Sequence, residues 1–224
     1  MIFPTGNLAP EGSVIKATSI DSSRIQEGIF YHKGRARVFC SEREAIQAIK
    51  GKSKTHQAIE PGDILVYIGG GPMGTGMEET SQLTSALRYI PWGKEVSILT
   101  DARFSGFSTG ACIGHIGPEA LAGGPIGKLR DGDIIEIILD QTELKGSINL
   151  VEVNGKKLNP TEAAQVLAQR ERHPDVASHS ALPEDTKLWA LLQSVSGGTW
   201  GGCVFDLAKI EKVLEAGLEA LKQS

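Results

Sequence analysis

The sequence predicts a β-rich α/β fold, in which a barrel-like domain is followed by a helical C-terminal extension. Two observations support this prediction. Short apolar, β-branched runs bounded by Gly, Pro and Asp dominate up to about residue 155, whereas helical patterns dominate after it. In addition, a helix does not follow every strand, which argues against a doubly wound parallel sheet. We therefore expect one domain at residues 1–155 and the extension at residues 156–224.

Six segments have the strand pattern, and an Asn-Gly pair follows the last of them. The predicted strands are residues 14–19, 29–39, 63–68, 96–99, 133–139 and 148–153. Asn154 and Gly155 favour a type I′ turn, because both central positions of that turn need positive φ. The barrel-like domain is thus predicted to end in a β-hairpin.

Two helices are predicted between the strands. Ser41 and Glu44 have the spacing of a capping box, in which the serine hydroxyl and the glutamate each bond the other's backbone N–H. A helix should therefore begin near residue 42 and end at Gly51, where a left-handed residue costs little. A second helix is predicted over residues 79–88.

Two further helices are predicted in the extension. Asn159 is a preferred N-cap residue and Pro160 suits the first helical position, so a helix is expected over residues 160–172. Residues 206–222 have apolar residues at three- and four-residue spacing. This stripe would pack within the domain or between subunits, and we expect packing within the domain.

Composition excludes several classes of protein. The net charge of −4 and the lack of a basic stripe argue against nucleic-acid binding, and no apolar run approaches the roughly 20 residues of a membrane span. Cys40, Cys112 and Cys203 form no CxxC pair, so neither a disulfide framework nor a self-contained zinc site is expected. The N-terminus lacks a secretory pattern, and a cytoplasmic protein is predicted.

A glycine-rich segment, residues 69–79, lies between a predicted strand and a predicted helix. Such a loop can present several backbone N–H groups to an anion. Its glycine spacing formally matches a dinucleotide-binding fingerprint, but Pro72 removes a donor and no clear strand-end acid follows about 20 residues later. The alternative is a structural turn in which Glu78 and Glu79 favour the helix dipole.

A second segment, residues 100–110, concentrates an acid, a guanidinium and several hydroxyl groups directly after a strand. Arg103 could bind a carboxylate through two hydrogen bonds, and Ser105 could act as a nucleophile or base if its pKa were lowered. His115 lies ten residues away and is interpreted as a structural residue rather than a triad partner. The alternative is an ion pair between Asp101 and Arg103 that braces a turn.

Several longer motifs occur in a fixed order and resemble the C-terminal domain of the dihydroxy-acid and sugar-acid dehydratase family (6-phosphogluconate, aldonate and xylonate types). The motifs are NLAPEG at 7–12, GTGMEE at 74–79, TDARFSG at 100–106, GHI at 114–116, PEA at 118–120, GGPI at 123–126 and DGD at 131–133. The segment with Trp189 and residues 196–203 looks more like the branch that dehydrates xylonate-type acids.

The resemblance implies a swivelling β/β/α barrel-like domain that closes over a larger N-terminal domain. In the family that larger domain supplies the cysteines of an iron–sulfur cluster and most ligands of a magnesium ion, Mg2+, and the full enzyme is expected to be a homo-oligomer. The three cysteines here match none of the cluster ligands. The chain alone is therefore expected to be inactive, and the two glycine-containing loops are expected to be exposed and mobile.

The resemblance also implies a reaction and a site. The family removes water from a 2,3-dihydroxy acid to give a 2-keto-3-deoxy acid, which requires loss of the C2 proton and of the C3 hydroxyl. Glu79 matches the magnesium ligand and Ser105 the base that takes the C2 proton. Arg103, Ser108 and Thr109 are predicted to bind substrate. The alternative is a non-catalytic swivelling module that binds a partner subunit or a small acid.

Overall fold

A computed structural model describes residues 1–223, and Ser224, the last residue of the predicted extension, lies outside the described residues. The described chain forms nine strands: β1 Gly12–Ile15, β2 Ile25–Gln26, β3 Ile29–Phe39, β4 Ile64–Tyr67, β5 Ser97–Thr100, β6 Cys112–Gly117, β7 Ile134–Asp140, β8 Lys145–Val153 and β9 Lys156–Lys157. Its α-helices are α1 Glu42–Ile49, α2 Pro72–Thr75, α3 Ser81–Arg88, α4 Pro160–Gln169, α5 Glu184–Ser196 and α6 Leu207–Gln223.

The strands form one mixed sheet that curls into a half-barrel. Its order is β1-β6-β5-β4-β3-β7-β8-β9, with β2 paired to β3. Strands β3 to β6 run parallel to one another, whereas β1, β7, β8 and β9 pair antiparallel. The N-terminal segment connects the two sides of the half-barrel, because Ile2 bridges to Ile15 of β1 and Thr5 bridges to Ser147 of β8. The β-rich α/β prediction is confirmed.

Two apolar cores lie on opposite faces of the parallel strands. Alternation along β4 shows this division, since side chains of neighbouring residues in a strand point to opposite faces. Val66 belongs to the cluster inside the half-barrel, whereas Leu65 and Tyr67 belong to the cluster beneath α1 and α3. Burial on both faces agrees with the apolar run of β4, Ile64–Tyr67, whose four residues are all buried.

The predicted helix boundaries are partly confirmed. Helix α1 begins at Glu42, and Gly51 after it has φ 63°, as expected for a left-handed C-terminal residue. The capping box is wrong, because the Ser41 side chain makes no capping bond. The carboxylate of Glu42 instead accepts the backbone N–H of Leu83 at 3.2 Å, so the first turn of α1 stabilises the start of α3.

The predicted turn at Asn154 and Gly155 and the predicted N-cap at Asn159 are both confirmed. Asn154 and Gly155 have φ values of 50° and 77°, as a type I′ turn requires. Asn159 and Glu162 form a reciprocal capping box at the start of α4, with both bonds at 2.9 Å. These features depend on residues that are adjacent along the chain.

Strand β6 and helix α5 are the longest elements that the sequence did not predict. Strand β6 contains two glycines and a left-handed His115, so it lacks a strand signature. Helix α5 was not predicted within the extension. Helix α6 occupies nearly the residues expected for it; it contacts α5, and none of its side chains in residues 207–223 is buried.

Candidate functional site

The loops with the polar motifs meet at one edge of the half-barrel. Strands β3 to β6 are parallel, so their carboxyl ends lie at the same edge, where ligands commonly bind in α/β sheets. The glycine-rich segment follows β4, and the Asp101–Ser105 segment follows β5. The sheet topology therefore brings together the two loops that the sequence singled out.

Asp101 holds these loops together rather than facing solvent. It is 1% exposed, and its carboxylate accepts the backbone N–H groups of Gly69 at 3.1 Å, Gly70 at 2.9 Å and Ala120 at 2.9 Å. Burial raises the pKa of Asp101, and the three N–H donors oppose that rise. The alternative of an Asp101–Arg103 ion pair is therefore wrong, because the partners of Asp101 are backbone groups.

The glycine-rich loop is tightly packed, and carboxylates of the protein accept hydrogen bonds from several of its backbone N–H groups. A Cβ atom on Gly74 would lie 1.9 Å from the carbonyl oxygen of Gly69, so only glycine allows this close approach. The Met73 N–H at the start of α2 donates to the carboxylate of Glu119 at 3.0 Å. Together with the bonds from Gly69 and Gly70 to Asp101, this leaves little for a phosphate to bind, and the structural interpretation of the glycine pattern is favoured.

Glu119 lies at the same edge, in an environment that the sequence did not indicate. It lies against Gly71 and accepts the Met73 N–H through both carboxylate oxygens, at 3.0 and 3.1 Å. Burial raises its pKa to about 8; the Asp101 charge adds to the rise and the Met73 bond opposes it. A carboxyl group of this kind changes its charge near neutral pH.

A backbone bridge joins the two loops directly. Glu79 and Arg103 are partners in a parallel bridge, in which Arg103 N–H donates to the Glu78 carbonyl at 3.3 Å and Thr80 N–H donates to the Arg103 carbonyl at 2.9 Å. Arg103 Nε also donates to the Met77 carbonyl at 2.7 Å. Directly paired residues present side chains to the same face of a ladder, so the exposed Glu79 and Arg103 lie side by side.

Ser105 follows this bridge by two residues. Its side chain is half-buried, and its Oγ accepts the backbone N–H of Phe107 at 3.2 Å. Phe107 itself is 92% exposed. The structure therefore brings Glu79, Arg103 and Ser105 to one edge of the domain, on two loops that are bonded to each other.

Ser108 and Thr109 lie further along the loop that descends toward the start of β6. Ser108 is 4% exposed and its Oγ lies 3.5 Å from the hydroxyl of Thr84 on α3. Thr109 lines a cavity of about 360 Å³ together with Arg88 and Lys94. Neither residue shares a described contact with Glu79 or Arg103.

His115 supports the Arg103 loop from β6. Its backbone N–H donates to the Ala102 carbonyl at 2.9 Å, and its ring meets the edge of the Phe104 ring at a centroid distance of 6.1 Å. Burial lowers the pKa of His115, and the charge of Arg103 lowers it further. Its left-handed φ of 53° is uncommon for a residue other than glycine.

The extension covers most of the glycine-rich loop. Ser178 Oγ donates to the Met73 carbonyl at 2.7 Å, and His179 N–H donates to the Gly74 carbonyl at 2.8 Å. Only Glu78 and Glu79 are exposed among residues 69–79, so the expectation that this loop is generally exposed is wrong. Ser178 and His179, far from the glycine-rich loop in the sequence, therefore cover it in the folded chain.

Metal ligands are sparse in the described part of the chain. Within residues 1–223 no group of three or more His, Cys, Asp or Glu side chains is arranged to hold a metal ion. Cys40 is half-buried, Cys112 is buried and Cys203 is exposed; burial raises the thiol pKa of the first two to about 12. These cysteines do not fit an iron–sulfur cluster, whereas Glu79 can offer one hard oxygen ligand.

No helix found in residues 1–223 combines the length and apolar character that crossing a membrane requires.

Comparisons with known proteins agree on one family. The chain is 62% identical over 220 residues to the D-xylonate dehydratase YagF and 59% identical over 215 residues to the D-xylonate dehydratase YjhG, both of Escherichia coli. These matches cover 98% and 95% of this chain but 33% and 32% of the relatives. A dihydroxy-acid dehydratase of Clostridium botulinum is 42% identical over 155 residues, or 69% of this chain and 26% of that protein.

The chain thus spans about a third of the length of the D-xylonate dehydratases it matches. The family model described as dihydroxy-acid/6-phosphogluconate dehydratase C-terminal matches residues 2–181, which is most of the chain. On these grounds the chain belongs to the dihydroxy-acid/6-phosphogluconate dehydratase C-terminal domain family.

Proposed function

We propose that this chain is the C-terminal part of a hydro-lyase that dehydrates a 2,3-dihydroxy sugar acid, such as xylonate, to a 2-keto-3-deoxy acid. The observation that carries the proposal is the backbone bridge between Glu79 and Arg103, with Ser105 two residues further on. It places a carboxylate, a guanidinium and an alcohol at one edge. The names of the relatives, D-xylonate dehydratase above all, support this substrate class.

In the proposed reaction Ser105 is the base. Its Oγ takes the proton from C2 of the acid, the electron pair forms a C2–C3 double bond, and hydroxide leaves C3. The resulting enol then becomes the 2-keto acid. The Phe107 N–H, which already donates to Ser105 Oγ at 3.2 Å, stabilises negative charge on that oxygen. Such a hydrogen bond favours the alkoxide form that the proton transfer needs.

Arg103 is the proposed anchor for the substrate carboxylate. Its Nε donates to the Met77 carbonyl at 2.7 Å, which orients the guanidinium. The structure gives its two Nη groups no hydrogen-bond partner within residues 1–223, so they can bind both oxygens of a carboxylate. Ser108 and Thr109 are proposed to assist substrate binding indirectly by supporting the Arg103 loop, because Ser108 is buried against Thr84 and Thr109 lines a different cavity.

Glu79 is the proposed magnesium ligand. It is exposed and adjacent to Arg103 in the bridge, so a magnesium ion there would neutralise negative charge that builds on the carboxylate end of the substrate. One carboxylate is too few ligands for the ion. We propose that the other ligands and an iron–sulfur cluster belong to a larger N-terminal domain of a cytoplasmic, homo-oligomeric enzyme, and that this chain alone is inactive.

A non-catalytic module is the second candidate. The observation that favours it is the scattered placement of Cys40, Cys112 and Cys203, which leaves the described residues without a cluster site. Such a module would bind a partner subunit or a small acid at the same edge without converting it.

A mixing experiment tests both candidates. The chain is combined with the separately produced N-terminal two-thirds of a D-xylonate dehydratase, and 2-keto acid formation from xylonate is measured. Ser105→Ala should lower kcat by at least about 100-fold, as expected for loss of a general base. The control is Ser85→Ala: Ser85 is exposed on α3, its hydroxyl bonds only the Ser81 carbonyl, and the variant should leave kcat unchanged.

The outcomes separate the candidates. Activity that Ser105→Ala does not reduce removes Ser105 from the mechanism. A stable complex that forms without any 2-keto acid, under conditions where the intact relative is active, supports the non-catalytic module.

A further inference from the structure

The segment that follows the family match contacts the glycine-rich loop directly and is connected to the Arg103 loop through His115. We call residues 182–203, which include α5 and the 3-10 turn Thr199–Gly201, the C-terminal clamp. The family model ends at residue 181, whereas the match to the D-xylonate dehydratase YagF covers 98% of this chain. The clamp is therefore shared with the xylonate relatives but lies outside the part that defines the whole family.

Trp200 anchors the clamp in a seat made by two glycines. Gly12 of β1 and Gly117 of β6 are direct partners across the antiparallel pair. A Cβ atom on Gly117 would lie 2.3 Å from Trp200 Cδ1, and one on Gly12 would lie 3.0 Å from Trp200 Cη2. Any larger side chain at these positions would displace the indole ring, so the seat depends on both glycines.

A series of hydrogen bonds leads from Trp200 to the site. Trp200 Nε1–H donates to the His115 carbonyl at 2.9 Å, and the His115 N–H donates to the Ala102 carbonyl at 2.9 Å. Ala102 immediately precedes Arg103, the residue that pairs with Glu79. The position of the indole is thereby connected to the loop that bears Arg103 and Ser105.

The other end of the clamp lies on the glycine-rich loop. A Cβ atom on Gly76 would lie 2.6 Å from the Thr186 methyl group and 3.8 Å from Leu182 Cδ1. Helix α5 also contacts α2, the helical turn of that loop. One continuous segment, the 22 residues from 182 to 203, thus touches the glycine-rich loop directly and the Arg103 loop through His115.

We propose that Trp200 is a positioning residue, through which the C-terminal clamp fixes the Arg103–Ser105 loop in the geometry suited to xylonate-type acids. This inference rests on the proposed function for its catalytic consequence, but its structural part concerns this chain alone. The Trp200 N–H, rather than the bulk of the ring, is the group that transmits the position to His115.

Hydrogen exchange on the purified chain tests the structural part. Trp200→Phe keeps an aromatic ring and removes the N–H, so amides of residues 101–105 and 115 should exchange about five- to tenfold faster, as expected for loss of one hydrogen bond. Trp92→Phe is the matched control, because Trp92 is also half-buried but packs beneath the sheet with α3. It should leave those amides unchanged.

A second variant changes one of the glycines that Trp200 packs against, rather than Trp200 itself. Gly117→Ala places a methyl group where the indole lies and should accelerate exchange in the same residues without altering tryptophan. Amides of β7 and β8 serve as internal references, and their unchanged exchange shows that the domain remains folded. Unchanged exchange at residues 101–105 in both variants would overturn the proposal.

The catalytic part has a separate readout. In the mixed enzyme, Trp200→Phe should lower kcat for xylonate about tenfold while KM changes less than twofold, because a displaced base affects the chemical step more than binding. Equal kcat for wild type and Trp200→Phe overturns the positioning role. If the mixed enzyme has no activity at all, the proposed function fails, whereas the exchange result still decides whether the clamp orders the loop.

Discussion

The carboxylate of Asp101 accepts the backbone N–H of Gly70 at 2.9 Å, which joins the end of β5 to the glycine-rich loop after β4. The same carboxylate also binds the N–H of Ala120 beyond β6. Because Asp101 is 1% exposed, these bonds form where water cannot replace them. Three loops at the carboxyl edge of the sheet are therefore held at one common acceptor.

Replacing this acceptor should destabilise the whole edge. Asp101→Asn exchanges one carboxylate oxygen for an NH2 group that faces backbone donors, and should lower the free energy of unfolding by about 2–4 kcal/mol. Urea unfolding at pH 7 measures the change. The control is Asp140→Asn, because Asp140 accepts the Thr142 and Glu143 N–H groups in an exposed turn, and it should cost less than about 1 kcal/mol. Equal costs would contradict the role of Asp101.

Glu119 should make stability fall as pH rises through neutrality. Its pKa is raised to about 8 from the ordinary value of 4.5, so between these pH values the folded state binds a proton that the unfolded state has released. Its contribution is fully present below pH 4.5 and is lost as pH rises to about 8. Each pKa unit corresponds to about 1.4 kcal/mol, so the loss is on the order of 5 kcal/mol.

Glu119→Gln tests this titration, because glutamine retains an oxygen for the Met73 N–H and cannot ionise. Tm is measured from pH 5 to pH 8.5 for both proteins. The wild type should lose more Tm over this range than the variant. Parallel curves would show that Glu119 does not titrate as its environment indicates.

The two glycine-containing loops should differ in their tolerance of a methyl group. Gly74→Ala places a Cβ atom 1.9 Å from the Gly69 carbonyl oxygen and should cost about 2 kcal/mol or more, since backbone must move. Gly106→Ala meets no atom within 4 Å and should change stability by less than about 0.5 kcal/mol. Chemical denaturation of the two variants gives the comparison, and a tolerated alanine at residue 74 would contradict the packing described for this loop.

Local signals predicted much of the fold. The hairpin turn at Asn154 and Gly155 and the capping box at Asn159 were recognised because each is formed by residues within a few positions of one another. The long strand β3 was also predicted with its observed bounds, Ile29–Phe39. Strand β6 was missed, because its glycines and the left-handed His115 obscure the alternation that normally reveals a strand.

The polar motifs were predicted to carry a site, but which groups their side chains contact depends on partners distant in sequence. Asp101 has the same local sequence whether it pairs with Arg103 or binds the N–H of Gly69, 32 residues earlier. The special environment of Glu119 likewise arises from Gly71 and Met73, which come close only in the folded chain. No pattern within a short window distinguishes these possibilities.

The amino-acid sequence by itself determined the fold class, the individual turns and caps, and the two segments that carry polar chemistry. Only the tertiary structure decided that Glu79 and Arg103 are neighbours, that the extension covers the glycine-rich loop, and that Trp200 rests on Gly12 and Gly117. The physical reason is range: backbone preference and apolar periodicity act over a few residues, whereas buried carboxylates and aromatic rings find their partners through long-range packing.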